Sequence, residues 1–86
     1  MAAKPKKRTT FRLLAPGAKK VCVLGSFNGW VERPMKANKA GEWSTWTNLE
    51  SGRYEYRFKV DGHWHTTANV EKVPNKHGSE NNLLIV

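Results

Sequence analysis

Between residues 53 and 60 apolar and polar side chains alternate without a break, Tyr54, Tyr56, Phe58 and Val60 interleaving with Arg53, Glu55, Arg57 and Lys59. A period of two is that of a strand with one face on a core and the other in water. Asp61-Gly62 comes next, a pair favoured in two-residue hairpin loops because glycine takes positive φ without steric cost. Such a turn sets Val60 opposite His63 and Lys59 opposite Trp64, and it makes Arg57 the diagonal cross-strand neighbour of Trp64. Parity therefore predicts Trp64 on the solvent face, beside two cations.

Elsewhere no helix-length stretch repeats apolar residues at a spacing of 3.6, whereas several short runs are β-branched or aromatic and end in Gly, Pro, Asn or Asp. Strands are predicted at 9–14, 19–25, 42–49, 53–60, 63–66 and 81–86, with breakers at "APGA", "FNGW", "KAGE", "ESG", "DG" and "PNKHGSEN". Short strands punctuated at this interval point to an all-β, immunoglobulin-like sandwich of two antiparallel sheets. Residues 67–80 form a long ordered loop in this reading, and loops of that length are often functional. Trp43 follows Gly41 with the parity of Thr45, Thr47 and Leu49 and is assigned to the core. Trp46 falls on the opposite face of that strand, with no partner assigned. Trp30 ends "GSFNGW", where a strand gives way to a tight turn.

Length and charge narrow the function. A chain of 86 residues has room for one modest core, so a shallow binding face is easier to build than an engulfing catalytic cleft. The formal charge is +8, but Lys4, Lys6, Lys7 and Arg8 carry four of those charges in a tail without acidic residues. Residues 1–8 are expected to be a disordered basic tail and 9–86 the folded module. That tail has no apolar run, hence no secretory signal or membrane span is read from it, and the cytoplasm is the default location. The chain ends where the sandwich ends, and no attached catalytic domain is expected. Cys22, the single cysteine, lies in an apolar stretch and is read as a small buried hydrophobe in a reducing compartment.

The four tryptophans are many for this length. Exposed aromatic rings beside Arg, Lys and Asn are what a sugar needs, since a pyranose has an apolar C–H face and a rim of hydroxyls. Interleaved basic and aromatic residues also describe single-strand nucleic-acid binders; the charge outside the tail is too small to favour that, and tail-driven attraction would be sequence-independent and salt-sensitive. His63 and His65 share a strand face, read as inward, and with His77 they have no cysteine or carboxylate cluster, so neither metal nor cofactor is expected. Asp61 is the only aspartate and sits in a turn, no nucleophile–base spacing or phosphate loop is visible, and the module is read as non-catalytic. A plain surface stack of Trp64 on the stems of Arg57 and Lys59 stays open. So does a protein-docking role for the same exposed aromatics.

"GSFNGW", the following "PM", "GEW", "LESGRYEYRFKVDGHW" and the closing "NKHGSENNLLIV" together resemble carbohydrate-binding module family 48, which includes the glycogen-binding domain of the AMP-activated protein kinase β subunit and the N-terminal modules of isoamylases and branching enzymes. The resemblance covers residues 9–86 and implies an early-set immunoglobulin-like β-sandwich. It implies that Trp30 and Trp64 stack on glucose, that Arg57 and Asn81 hydrogen-bond to hydroxyls and that Ser79 supports them; Lys59, beside Trp64 in the hairpin, is read as sitting at the margin. The implied partner is an α-1,4-linked glucan, glycogen or starch-like. The alternative is a scaffolding module of the same fold that docks on a carbohydrate-active enzyme or kinase. Two positions depart from the family pattern: Thr67-Ala68 replaces a common Asp-Pro, and His77 stands where the kinase subunit has a leucine, which implies weaker binding of curved or cyclic glucans.

Overall fold

A computed structural model of the chain describes residues 5–65, 67 and 70–86. Every regular element among them is a strand: β1 (Lys6–Leu14), β2 (Val21–Gly25), β3 (Arg33–Pro34), β4 (Lys36–Ala37), β5 (Glu42–Glu50), β6 (Arg53–Val60), β7 (His63–His65), β8 (Lys72–Pro74) and β9 (Glu80–Ile85). They form two antiparallel sheets, one ordered β1-β5-β4 and the other β3-β2-β6-β9-β8, with β7 paired to β6.

The core lies between the sheets. Phe11 and Leu13 reach in from β1, Leu49 from β5, Val21 and Val23 from β2, and Tyr56 and Phe58 from β6. An aromatic edge joins the layers where Phe11 of β1 meets Tyr56 of β6 at 5.1 Å, and within β6 Tyr56 meets Phe58 edge-on at 5.6 Å. Burial pushes the Tyr56 phenol above its ordinary pKa. Met35 is buried where the chain crosses between layers, since Arg33–Pro34 pairs with β2 while Lys36–Ala37 pairs with β5. Two-residue pairings of this kind have no periodicity, so β3 and β4 leave no trace in the sequence pattern.

Three expectations change. Lys6, Lys7 and Arg8 do not belong to a disordered tail, because β1 starts at Lys6 and they stand opposite Glu50, Leu49 and Asn48. Long β5 supplies a ladder partner for each of them, and backbone pairing is indifferent to their charge. Residues 1–4 lie outside the described part. The loop expected over 67–80 contains β8, which pairs with β9 from Lys72↔Asn82 to Pro74↔Glu80; its proline sits on an edge strand, where a missing donor is tolerated. The face shared by His63 and His65 is not uniformly inward. His65 opposite Phe58 is half-buried, while His63 opposite Val60 is exposed, beyond the end of the core.

Strand β6 organises the second sheet. β2 covers one of its edges from Val60 to Tyr56. Two strands share the other edge, β7 along Phe58–Val60 and β9 along Arg53–Tyr56. Arg57 stands at the split between them. Its face is the outer one, and there the chain builds a groove.

Candidate functional site

The segment "GSFNGW" forms one wall of the groove through a compact set of hydrogen bonds. The Gly25 carbonyl accepts N–H from Asn28 at 3.1 Å and from Trp30 at 2.9 Å. The Asn28 side chain returns the contact, its Oδ1 accepting from Gly25 N–H at 3.2 Å and its Nδ2 donating to the Val31 carbonyl at 2.8 Å. Phe27 anchors the turn by stacking on Phe11 at 5.1 Å. Only glycine fits at position 25, because a Cβ there would lie 2.5 Å from the Phe27 ring and 2.7 Å from the Glu55 carbonyl. Gly29 and then Trp30 take left-handed backbone, with φ of 69° and 63°. For tryptophan that conformation is strained. It turns the indole out of the loop, leaving Trp30 39% exposed.

The β6–β7 hairpin supplies the opposite wall. Asp61 and Gly62 both have positive φ, 49° and 84°, as a type I′ turn requires, and Asp61 Oδ1 accepts the N–H groups of Lys19 and Lys20 at 2.9 and 2.8 Å. Register is Val60↔His63 and Lys59↔Trp64. Trp64 is 49% exposed, with the Arg57 guanidinium carbon 4.7 Å and Lys59 Nζ 5.2 Å from its ring centroid.

Polar groups at the third side come from the β8–β9 turn. Asn75 Oδ1 accepts N–H from His77 at 2.9 Å and Ser79 at 3.2 Å, an Asx-type turn. Asn75 Nδ2 donates to Ser79 Oγ at 2.9 Å and to Asn81 Oδ1 at 3.1 Å. Arg57 donates to Ser79 Oγ at 3.2 Å. Asn81 Nδ2 donates to Glu55 Oε1 at 3.0 Å, and the other Glu55 oxygen faces Arg53 at 3.7 Å. Arg57, Ser79, Asn75, Asn81 and Glu55 thus form one hydrogen-bonded chain. A buried amide with both ends engaged is held in one orientation.

Together these walls enclose an open groove of about 750 Å³, lined by Trp30, Trp64, Arg57 and Asn81 with Leu24, Ser26, Glu55, Pro74, Asn75, Lys76 and His77. Four of the six sequence-derived site residues meet there. Ser79 lies behind the lining as the hydroxyl between Arg57 and Asn75. Lys59 is turned aside, its Nζ 3.3 Å from Glu32 Oε2. That contact, reinforced by Lys20, holds the Glu32 carboxyl below its ordinary pKa, and Cys22 beneath it is raised above the usual thiol range, first by burial and then by the Glu32 charge. Of the two departures, His77 is at the groove; Thr67 accepts a hydrogen bond from Lys72 through its carbonyl, and Ala68 lies outside the described residues. Among the described residues no cluster of three metal-ligating side chains occurs.

Sequence reasoning missed Leu24, Asn75 and Glu55. Leu24 is on the outer face of β2 yet buried, where it lines the groove, and alternation alone would have placed it in water. Asn75 carried a local signal, an Asn after Pro and shortly before Gly.

The family described as the glycogen recognition site of AMP-activated protein kinase matches residues 8–86. The chain belongs to this family. Its similarity extends to "Protein FLOURY ENDOSPERM 6, chloroplastic" of Oryza sativa subsp. japonica, 40% identical over 80 residues, which cover 92% of this chain and 15% of that protein. "Protein PTST homolog 2, chloroplastic" of Arabidopsis thaliana is 38% identical with the same coverage. The "5'-AMP-activated protein kinase subunit beta-1" of Sus scrofa is 32% identical over 78 residues, 91% of this chain and 62% of that one. The chain therefore spans a small part of the plant relatives' length. Membership of a glycogen-recognition family agrees with the all-β sandwich and with a glucan-directed module.

Proposed function

We propose that this module binds α-1,4-linked glucan, glycogen or starch-like, without transforming it. Trp30 and Trp64 are the platforms for pyranose faces, Arg57 and Asn81 donate to hydroxyls, Ser79 positions Arg57, and Lys59 stays at the margin. The observation that carries this reading is the convergence of two half-exposed indoles, one from a strained turn and one from a hairpin face, on a single groove floored by an ordered hydrogen-bond chain. Much of a bound chain remains in water, so affinity per site is on the order of 10⁻⁵ to 10⁻³ M. A polymer offering many sites raises the apparent strength.

The names of the relatives support both a polysaccharide target and a place inside larger assemblies, since one is a kinase subunit. Docking on a carbohydrate-active enzyme or kinase through the same face is the second reading. The cytoplasm remains the compartment inferred from the sequence, and the two plant relatives are named as chloroplastic.

Titration with maltoheptaose or β-cyclodextrin, followed by tryptophan fluorescence in wild type and in Trp64→Ala, tests the proposal. Saturable quenching that the variant loses is the expected result. No response up to millimolar sugar overturns glucan binding and transfers the aromatic face to protein docking.

A further inference from the structure

The groove leaves one exposed indole unused. Trp46 is 46% exposed on the outer face of the other sheet, in its central strand β5. We propose that Trp46 is the platform of a second, independent α-glucan site on the opposite side of the sandwich. The ligand class rests on the glucan reading above; the place does not.

The surroundings of Trp46 repeat those of Trp64. Trp64 faces Lys59 across the ladder and takes Arg57 from the diagonal position, 4.7 Å from its centroid. Trp46 faces Thr10 and takes Arg8 from the diagonal, with the guanidinium carbon at 4.2 Å. Its nearest same-face neighbours along β5 are Ser44 and Asn48, two residues away on either side. Two hydroxyls and an amide therefore border the indole while a guanidinium stacks on it, an aromatic ring beside hydrogen-bonding groups, the combination a pyranose requires. The strand is also fixed from behind: Arg33 Nη2 donates to the Trp46 carbonyl at 2.6 Å and its Nε to Thr45 Oγ1 at 3.3 Å. A platform on a braced central strand is held more rigidly than one on a loop.

The same neighbours argue against a protein partner. The nearest apolar side chain on that face, Leu14, pairs with Glu42, four positions along from Trp46, roughly 13 Å at strand rise. A protein hot spot would need apolar area next to the tryptophan. On this face Glu42 and Glu50 end the strand, Lys6, Arg8 and Arg12 lie across the ladder from it and Lys36 pairs with Ser44 from β4, so cations outnumber carboxylates and an acidic segment is the rival occupant that the test has to separate. A polar-rimmed aromatic without adjacent apolar area suits a polyhydroxylic chain. Two platforms on opposite faces would let one module bridge two glucan chains.

Indole N–H resonances of the full chain, assigned by single Trp→Phe variants and titrated with maltoheptaose, provide the test. A saturable shift of the Trp46 resonance that persists in Trp64→Ala is the expected result. In co-sedimentation with insoluble starch, Trp46→Ala is expected to lower apparent affinity roughly tenfold or more, with maltoheptaose binding at the Trp64 groove unchanged. An unmoved Trp46 resonance at millimolar sugar, while Trp30 and Trp64 shift, overturns the second site and leaves the groove standing. A Trp46 shift without one at Trp64 supports the second site and overturns the groove. A Trp46 resonance that moves with polyglutamate and not with sugar overturns the proposal in favour of a protein surface.

Discussion

The Arg57 guanidinium lies over Trp64, 4.7 Å from the ring centroid, although the two residues are seven apart in sequence and on different strands. Type I′ geometry at Asp61-Gly62 creates that proximity, and the alternation of β6 decides that both side chains point outward. Neither partner contributes to the core. Trp64→Ala is therefore expected to leave stability within about 1 kcal/mol of wild type, the scale of an exposed cation–π contact. Glucan affinity should fall roughly tenfold or more, about 1.4 kcal/mol. Circular dichroism with thermal melting, beside a maltoheptaose titration, separates the two; a melted variant would place Trp64 in the core.

Trp30 carries the opposite balance. Its φ of 63° lies in the left-handed region, where a side chain with a Cβ is strained by about 1–2 kcal/mol. Trp30→Ala and Trp30→Gly both delete the platform and should bind glucan equally poorly. They should differ in stability, with the glycine variant more stable by about 1 kcal/mol because it alone relaxes the backbone. Chemical denaturation of the pair checks this, and equal stabilities would deny the strain.

Legibility of the fold followed the strength of local signals. "RYEYRFKVDGHW" contains an alternation and a turn whose geometry permits one register, so Val60↔His63, Lys59↔Trp64 and the Arg57 diagonal follow from the sequence alone. Trp43 packs on the core with its indole N–H on the Ala15 carbonyl at 3.1 Å, as its parity required. What escaped was set by tertiary cover. Leu24 and Cys22 occupy outward positions of β2 but are buried, Leu24 in the lining of the groove and Cys22 against Glu32. β3, β4 and β8 are two or three residues long and exist only through their partners. Lys6–Arg8 read as tail because charge suggested solvent, whereas β5 was long enough to pair with them.

Gly25 couples core and groove. Its absent side chain leaves space for the Phe27 ring and the Glu55 carbonyl, 2.5 and 2.7 Å from where a Cβ would stand. Gly25→Ala should cost about 1–3 kcal/mol, as overpacking does. Displacing Phe27 also shifts the turn that presents Trp30, so glucan affinity is expected to fall even where the variant remains folded. A denaturation midpoint and a titration below it measure both.

Cys22 and Glu32 give a pH-dependent expectation. Glu32 sits 3.3 Å from Lys59 and 3.5 Å from Lys20, and its carboxyl is held below the ordinary range, mainly by the Lys59 hydrogen bond. A lowered folded pKa means that the contribution is present above the unfolded carboxylate value and is lost as pH falls through the folded one. Glu32→Gln should accordingly flatten the acid side of the stability profile, and added salt should shrink the difference because the pair is exposed. The Cys22 thiol beneath it is buried and raised in pKa, so thiol alkylation at neutral pH should be slow in the native protein and fast in denaturant. Rapid native labelling would show that the 26–32 loop opens readily.

Asn81 is where stability and binding should prove hardest to separate. It is 6% exposed, accepts from Asn75 Nδ2 at 3.1 Å and donates to Glu55 Oε1 at 3.0 Å. Asn81→Ala leaves the Asn75 amide short of an acceptor and the Glu55 carboxylate short of a donor, at a cost of about 1–3 kcal/mol for the stranded polar groups. Ser79→Ala removes the hydroxyl between Arg57 and Asn75 but keeps the Asn81 contacts, and should cost about 1 kcal/mol. If Asn81 touches sugar as well as supporting the turn, its alanine variant loses more affinity than Ser79→Ala by a margin that exceeds their difference in stability. Equal affinities at a temperature where both variants are folded would assign Asn81 to the scaffold alone and leave hydroxyl recognition to Arg57.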